Sequence, residues 1–357
     1  MSRTKPPKIS QKCLAKKKPV KKRKSTVPRK KDGTIDWKRY NEALVERGSI
    51  TFWIETETVE GWVDEPDVKA RGGQRVYSDA AIGCVLTMRS VFHLALRNAE
   101  GFCRSLLAET KRNLPTPNFT TLSRRCGQLE VPLPRTLPKG AIDIVVDSTG
   151  IKVYGEGEWK VRQHGVSKRR TWLKLHLAID IKTQEVCATV VSSADVSDDE
   201  AFTPILDQIE DDLASVGGDG AYDKGGVRER IEVRGATPRI PPRRDARLQN
   251  NKNRVSPLRQ QALAKRDDAI RRIEELRRTQ TDGDLSEARK LWKQETHYHR
   301  RSLAETAMYR YKTIFGQAVR SRIFTNQTKE LCLNVAAMNK MTRLGIPSTL
   351  TKQSSAR

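Results

Sequence analysis

The sequence predicts an α/β protein in which a mixed β-sheet is flanked by helices and preceded by a purely helical region. Three patterns carry that expectation. From Thr34 to about Pro138, apolar residues recur at helical spacing. At residue 139 the texture changes to short β-branched runs. From there the runs follow in the order β-β-β-α-β-α-β, an antiparallel set leading into parallel βαβ units.

In the helical region, WKRYNEALVERG (37–48) sets Trp37, Tyr40, Leu44 and Val45 on one face and closes at Gly48. A long apolar helix follows Ser78, which is a suitable N-cap, and LRNAEGFCRSLLAETKR continues the pattern. PTPNFTTLSRRC breaks at two prolines and restarts with Asn118 as cap. The spacing predicts that Thr120, Thr121, Arg124 and Arg125 are exposed. Two helices and a short, basic, capped third fit a helix-turn-helix, whose third helix would read DNA, and fit an ordinary helical bundle equally well.

In the second region AIDIVVDS (141–148) is a buried strand. TWLKLHLAID (171–180) alternates, with Trp172, Lys174, His176 and Ala178 on one face and Leu173, Leu175, Leu177 and Ile179 on the other. His176 is expected to pack in the sheet rather than act as acid or base. A turn at residues 181–184 leads into EVCATVVSSA, a third strand. An acidic-headed helix over DDEAFTPILDQIEDDLASV, a brief strand in SVGGDGAYD, a helix in KGGVRERIEVRG and a short strand in ATPRI complete the series. Residues 243–295 interrupt it with a basic coil and one charged helix of few apolar anchors, which reads as a surface insertion. Residues 328–344 form a closing helix ended by Gly345 and Pro347. The expected domains are therefore a disordered basic tail (1–34), a helical region (35–138), an α/β region (139–327) carrying the insertion, and a C-terminal helix with a disordered tail (328–357).

The formal net charge is +25 with a pI near 10.0. Residues 1–31 hold fourteen Lys and Arg and no acid, so +14 sits on the tail and +11 on the body. Charge of that size points to a polyanionic partner, nucleic acid before membrane. The six cysteines are scattered without a CxxC pair, which argues against zinc and for a reducing cytoplasm. No apolar run spans a bilayer and no signal peptide is visible.

Three carboxylates carry chemistry. Asp147 is expected at the C-terminal end of a buried strand, where a carboxylate costs desolvation energy unless it is paired or metal-bound. Asp219 lies between glycines that let other groups approach, at the end of the fourth strand, and Glu305 is on a late helix. A lone aspartate at a strand end is usually structural, and Glu305 alone reads as a solvated helix residue. The three in this order suit two hard divalent cations, which at roughly 3.5–4 Å apart can serve phosphodiester chemistry. On one continuous helix Tyr298, Arg301, Glu305 and Lys312 fall within roughly a 60° arc. Leu303, Ala307, Tyr311 and Ile314 fall opposite and face the core. That stripe can hold metal at its middle and phosphates at its flanks, or be a solvated polar face.

These residues resemble the DDE transposases of insertion sequences, in the insertion-sequence-five group and its IS-nine-oh-three-like branch. The Y-x2-R-x3-E-x6-K signature of that group is complete at Tyr298, Arg301, Glu305 and Lys312. VVDSTGIKVYGEGEWKVRQHGVSKRRTWLKLHLAID looks like its first aspartate block and GGDGAYD like its second. The likeness runs from about Trp37 to Pro347. It implies an RNase H-like catalytic domain behind a helical DNA-binding domain. Asp147, Asp219 and Glu305 would hold two Mg2+ ions, with Mn2+ as a substitute. Tyr298, Arg301 and Lys312 would contact DNA near the cut ends. His164, Lys168, Arg169 and Arg170, in a loop after the first aspartate, are expected on the DNA backbone, and Thr120, Thr121, Arg124 and Arg125 at the terminal repeats.

The reading is a bacterial cytoplasmic transposase, active on double-stranded DNA as a homodimer or larger assembly. It would hydrolyse a phosphodiester at each element end and transfer the freed 3′-hydroxyl into target DNA. Two alternatives stay open. One is a catalytically retired, transposase-derived DNA-binding protein; the other is a metal-dependent nuclease that cuts without joining.

Overall fold

A computed structural model of the chain describes residues 36–64, 76–110, 112–136, 140–153, 172–248 and 256–344. Its first part is helical: α1 (Trp37–Glu46), α2 (Ile50–Trp53), α3 (Thr56–Glu60), α4 (Asp79–Val91), α5 (Leu96–Glu109) and α6 (Phe119–Cys126). Both expected caps form. Ser78 Oγ accepts from the Ala81 amide at 3.1 Å, and Asn118 Oδ1 accepts from the Thr121 amide at 2.8 Å. Helices α4 and α5 meet at 112°. Two expectations need correction here. The inward face of α1 is Tyr40, Ala43 and Arg47, while Trp37, Leu44 and Val45 are exposed. Arg47 sets that orientation by donating to the Met341 carbonyl at 3.5 Å. Arg125 is buried, at 8% exposure, rather than exposed. Its guanidinium pairs with Asp79 at 2.6 Å and donates to the Tyr77 carbonyl at 2.9 Å, tying α6 to the start of α4.

Among the described residues the sheet has six strands: β1 (Ile142–Val153), β2 (Trp172–Asp180), β3 (Val186–Ser193), β4 (Leu213–Gly217), β5 (Thr237–Arg239) and β6 (Ala318–Val319). Its order is β3-β2-β1-β4-β5, with β6 also paired to β1. Strands β1, β2 and β3 are antiparallel neighbours, while β4 and β6 run parallel to β1 and β5 parallel to β4. Helix α7 (Asp198–Leu206) links β3 to β4, and α8 (Gly225–Val233) links β4 to β5. The acidic helix is shorter than its sequence suggests. Arg234 donates to the carbonyls of Leu206, Ile209 and Asp211, which replaces helix continuation with a turn and leaves Leu213 free to start β4. The insertion contains two helices, α9 (Pro257–Thr279) and α10 (Leu285–Glu295), packed through Ile273, Leu276, Ala288 and Trp292. After a 3-10 turn (Tyr298–Arg301) come α11 (Ser302–Phe315), β6 and α12 (Phe324–Leu344).

Side-chain alternation along β1 feeds two cores. Ile144 and Val146 join Phe202, Ile205, Val216 and Ile231 beneath α7 and α8. Val145 and Ile151 join a larger cluster on the opposite face. That cluster contains Trp62, Ile82 and Leu122 from the N-terminal helices, Leu175 from β2, Tyr311 from α11 and Leu331 from α12. It runs across residue 138 without a break, and α12 spans residues 327 and 328. The leucine face of β2 lies in this core as its alternation requires.

Side chains bond the outer edge of β3: Gln208 Oε1 accepts from the Thr189 amide at 3.3 Å, and Asn339 holds the start of the strand. Asn339 Oδ1 accepts from the Val186 amide at 2.8 Å, and Nδ2 donates to the carbonyls of Val186 at 2.8 Å and Pro134 at 3.0 Å. It is fully buried, so it takes the place of a neighbouring strand in a setting without water. Asn339→Leu should lower unfolding stability by about 3 kcal/mol, because buried backbone groups lose their partners. Urea unfolding followed by circular dichroism measures it; a loss under about 1 kcal/mol would show that the clamp contributes little.

Candidate active site

Strand β1 is longer than its buried apolar run, so Asp147 lies within it, opposite Leu177 of β2. On its other edge β1 is paired in two separate places. Residues Ile142–Val145 pair with β4 and Lys152–Val153 with β6. Between them the edge opens. The last β1–β4 pair is Val145 with Gly217. Asp147 and Asp219 each lie two residues further on, so the shared register brings them to corresponding positions. This is also where the sheet order reverses: β2 and β3 lie on one side of β1, β4 and β5 on the other. Crevices beyond the carboxyl ends of parallel strands at such a reversal are the common ligand sites of open α/β sheets.

Asp219 caps the 3-10 turn Gly220–Tyr222, with Oδ1 accepting from the Ala221 amide at 2.8 Å. Gly218 is needed for contact, since a Cβ there would sit 3.0 Å from the Tyr222 ring. Gly220 has open space around it, so only the first of the two flanking glycines answers to a close approach.

The Tyr298–Lys312 segment is not one continuous helix. His297 adopts a left-handed conformation with φ 55°, Tyr298–Arg301 is 3-10, and the α-helix starts at Ser302. Tyr298 therefore leaves the stripe calculated for a single helix. Glu305 and Lys312 do share α11, while Ala307 and Tyr311 are buried and Leu303 and Ile314 pack partly against the core. Tyr311 fixes the helix by accepting from Asn334 Nδ2 at 3.0 Å.

Arg301 joins two of the three acids. Nη2 lies 3.4 Å from Asp147 Oδ2, and Nη1 lies 3.2 Å from Glu305 Oε1. The Asp147 side chain is 14% exposed and that of Glu305 is 58% exposed. Burial raises the Asp147 pKa; the Ser148 amide and Arg301 oppose this, while the charges of Asp219 and Glu305 add to it. Burial works against the Arg301 charge, but Tyr298, Asp147, Glu305 and Asp219 hold its pKa above the ordinary arginine value. Burial also raises the Tyr298 pKa, against a hydrogen bond with Arg301. Lys293 Nζ lies 5.2 Å from the Tyr298 ring centroid. The three acids thus share one electrostatic neighbourhood, with Arg301 as its counter-ion.

An all-carboxylate donor set with mutual repulsion fits a hard divalent cation by its chemistry. Its spacing here is that of an arginine-bridged cluster: among the described residues, no three His, Cys, Asp or Glu side chains stand close enough to hold one ion. Thr120 and Arg124 are exposed and Thr121 is half-buried on α6, while Arg125 belongs to the packing described above. His164, Lys168, Arg169 and Arg170 lie outside the described residues. Sequence reading misses Asp223, Arg228 and Arg243, which frame the Asp219 turn. Asp223 pairs with the buried Arg228 at 2.7 Å and accepts from the Arg243 amide at 2.8 Å. The only signal is Asp223 itself, four residues after Asp219 in DGAYD.

His176 is enclosed in the sheet, with Nε2 2.8 Å from Ser192 Oγ. Burial lowers its pKa to about 4, against the pull of Asp198.

Two family models match the chain. Both are described as "Transposase DDE domain", one over residues 138–340 and the other over residues 45–156.

The pH dependence of His176 follows in sign from its lowered pKa. The folded value lies below the unfolded value of about 6.5. The neutral ring's contribution is complete above pH 6.5 and is lost as pH falls through 4. An NMR titration should give a His176 midpoint near 4. A midpoint above about 6 would mean a solvated imidazole and reopen an acid-base role.

Proposed function

The chain belongs to the family of transposases with a DDE domain, and from this premise we propose how it works on DNA. It binds the terminal inverted repeats of an insertion sequence, cuts at the element ends and joins them to target DNA. It resembles the insertion-sequence-five group of bacterial elements, in the IS-nine-oh-three-like branch, and in this reading it acts in the cytoplasm. The working form on DNA is a homodimer or larger assembly, because two ends must be held together. Residues 35–138 act as the DNA-binding part, with Thr120, Thr121 and Arg124 toward the repeats. Residues 139–327 act as an RNase H-like catalytic part, and 1–34 as a cationic arm on phosphates.

Asp147, Asp219 and Glu305 would hold two Mg2+ ions, or Mn2+ in their place. Such ions, when bound, stabilise the attacking and leaving oxygens of an in-line displacement. The chain's own residues do the rest. Asp147 and Asp219 are set by the sheet, and Glu305 is carried by a helix anchored in the core. Arg301 compensates the acids and can turn its fork onto a DNA phosphate, a geometry guanidinium matches well. Tyr298 and Lys312 flank it as backbone contacts, with His164, Lys168, Arg169 and Arg170 extending the track. The observation that supports the reading is the Val145–Gly217 register, from which Asp147 on β1 and Asp219 just beyond β4 each lie two residues on, with Asp147 in the field of Asp219 and Glu305.

Incubation with Mg2+ and a plasmid bearing the element's ends distinguishes this reading from its two rivals. Cutting and joining support it, binding alone favours a retired transposase, and cutting without joining favours a nuclease. Glu305→Gln should keep DNA affinity within about twofold and lower strand cleavage by at least about a thousandfold; wild-type cleavage would remove Glu305 from the site. Lys312→Ala should weaken binding similarly across sequences and reduce the salt slope of the binding constant by about one. An unchanged slope would mean that Lys312 touches no phosphate.

A further inference from the structure

The hairpin α9–α10 is built on the surface, yet its second helix reaches Arg243, the residue that holds the turn capped by Asp219. Arg289 on α10 donates from Nη1 to the Pro242 carbonyl at 3.1 Å and from Nη2 to the Arg243 carbonyl at 3.0 Å. Arg243 in turn donates from Nε to the Gly220 carbonyl at 3.2 Å and from Nη2 to the Ala221 carbonyl at 3.3 Å. Its own amide is held by Asp223, and Asp223 by the buried Arg228. Gly220 and Ala221 belong to the turn that Asp219 caps. The turn is therefore gripped at its carbonyls by Arg243 and at an amide by Asp219 itself.

The same hairpin leads directly to the third acid. Helix α10 ends at Glu295 and is followed by His297 and the turn Tyr298–Arg301, from which α11 and Glu305 continue. Arg272 of α9 pairs with Glu295 at 2.8 Å, and the four-residue apolar core holds the two helices together. One element thus connects to the Asp219 turn through Arg289 and then Arg243, and enters the Glu305 helix at its end. Glycines on both sides of Asp219 give that turn unusual backbone freedom, which an external grip removes. Site geometry must be held within roughly 0.5 Å for chemistry, so such a grip matters more than its modest energy.

We propose that Arg289 and Arg243 are positioning residues, forming a relay through which the helical hairpin orients Asp219 relative to Glu305. This rests on the reading of Asp219 as a metal-binding carboxylate. Neither arginine touches the reacting atoms. Arg243 is exposed, so it works through hydrogen-bond geometry rather than through its field.

The test is Mn2+ binding by full-length protein, read as loss of the free-ion electron paramagnetic resonance signal, with DNA affinity and cleavage measured beside it. Arg243→Ala and Arg289→Ala should each weaken Mn2+ binding about tenfold, the usual effect of removing a group behind a metal ligand, with DNA affinity kept within about twofold. The two sit in series, so the double variant should be no weaker than the weaker single. Arg289→Lys, which keeps one of two donors to the carbonyls, should fall between. Wild-type Mn2+ binding and cleavage in Arg243→Ala would overturn the relay, and so would a fully additive double variant. Should Arg289→Ala fail to fold, Arg243→Ala decides alone, because its side chain lies at the surface. Asp219→Asn separates the premise from the proposal. If that variant binds Mn2+ like wild type, the metal reading of Asp219 fails; if only the arginine variants do, the relay fails.

Discussion

Strand β1 stops pairing with β4 at Val145 and Gly217, two residues short of Asp147 on β1 and of Asp219 in the turn after β4. That early ending opens the sheet at the point where its order reverses, and it brings like charges into a partly desolvated crevice. Neither effect favours folding. Burial and the neighbouring acids raise the Asp147 pKa, which means the charged form is less favoured there than in water. A structure retains such a cluster only if the surrounding frame over-determines it. Here the frame is the sheet below and the apolar core above.

The core explains how the third acid is held. Helix α11 carries Glu305 on its exposed side and Ala304, Ala307, Met308 and Tyr311 on its buried side. Those residues lie in the same apolar cluster as the N-terminal helices and α12. The parts that recognise and cut DNA in the proposed function therefore share one packed interior. A shift of the helical region would be felt at Glu305, because close-packed interiors transmit strain. The match of one family model to residues 45–156, across residue 138, agrees with that continuity.

Arg301 is the counter-ion of the acidic cluster. It neutralises Asp147 and Glu305, and it hydrogen-bonds Tyr298, whose ring lies under Lys293 of the hairpin. The hairpin itself carries many arginines and lysines, yet several are already spent on neighbouring acids: Lys265 on Glu232, Arg272 on Glu275 and Glu295, and Arg271 on Asp268. Exposed pairs of this kind contribute little to stability. In the proposed relay the hairpin's value is instead mechanical, since Arg289 spends its donors on main-chain carbonyls beside the site.

Local pattern was not enough for β6 or the second helix of the insertion, but it was enough for the order of β1 to β5 and the helices between them, the Ser78 and Asn118 caps, the leucine face of β2 and the sheet packing of His176. Each depends on neighbours within a few residues or on strand alternation. The three carboxylates were visible too, because acids beside apolar strand residues and glycines break the local pattern. Their shared electrostatic neighbourhood was not, since it depends on the register of two strands some seventy residues apart in the chain. Arg125 shows the same limit: helical spacing marks it as exposed, but its burial depends on Asp79 at the start of α4 and on the Tyr77 carbonyl just before it. Tyr298 left its expected stripe because His297 takes a left-handed conformation that no periodicity announces. Short-range chemistry thus determined which elements form and which residues are unusual. Long-range hydrogen bonding and packing alone decided which of those residues face one another.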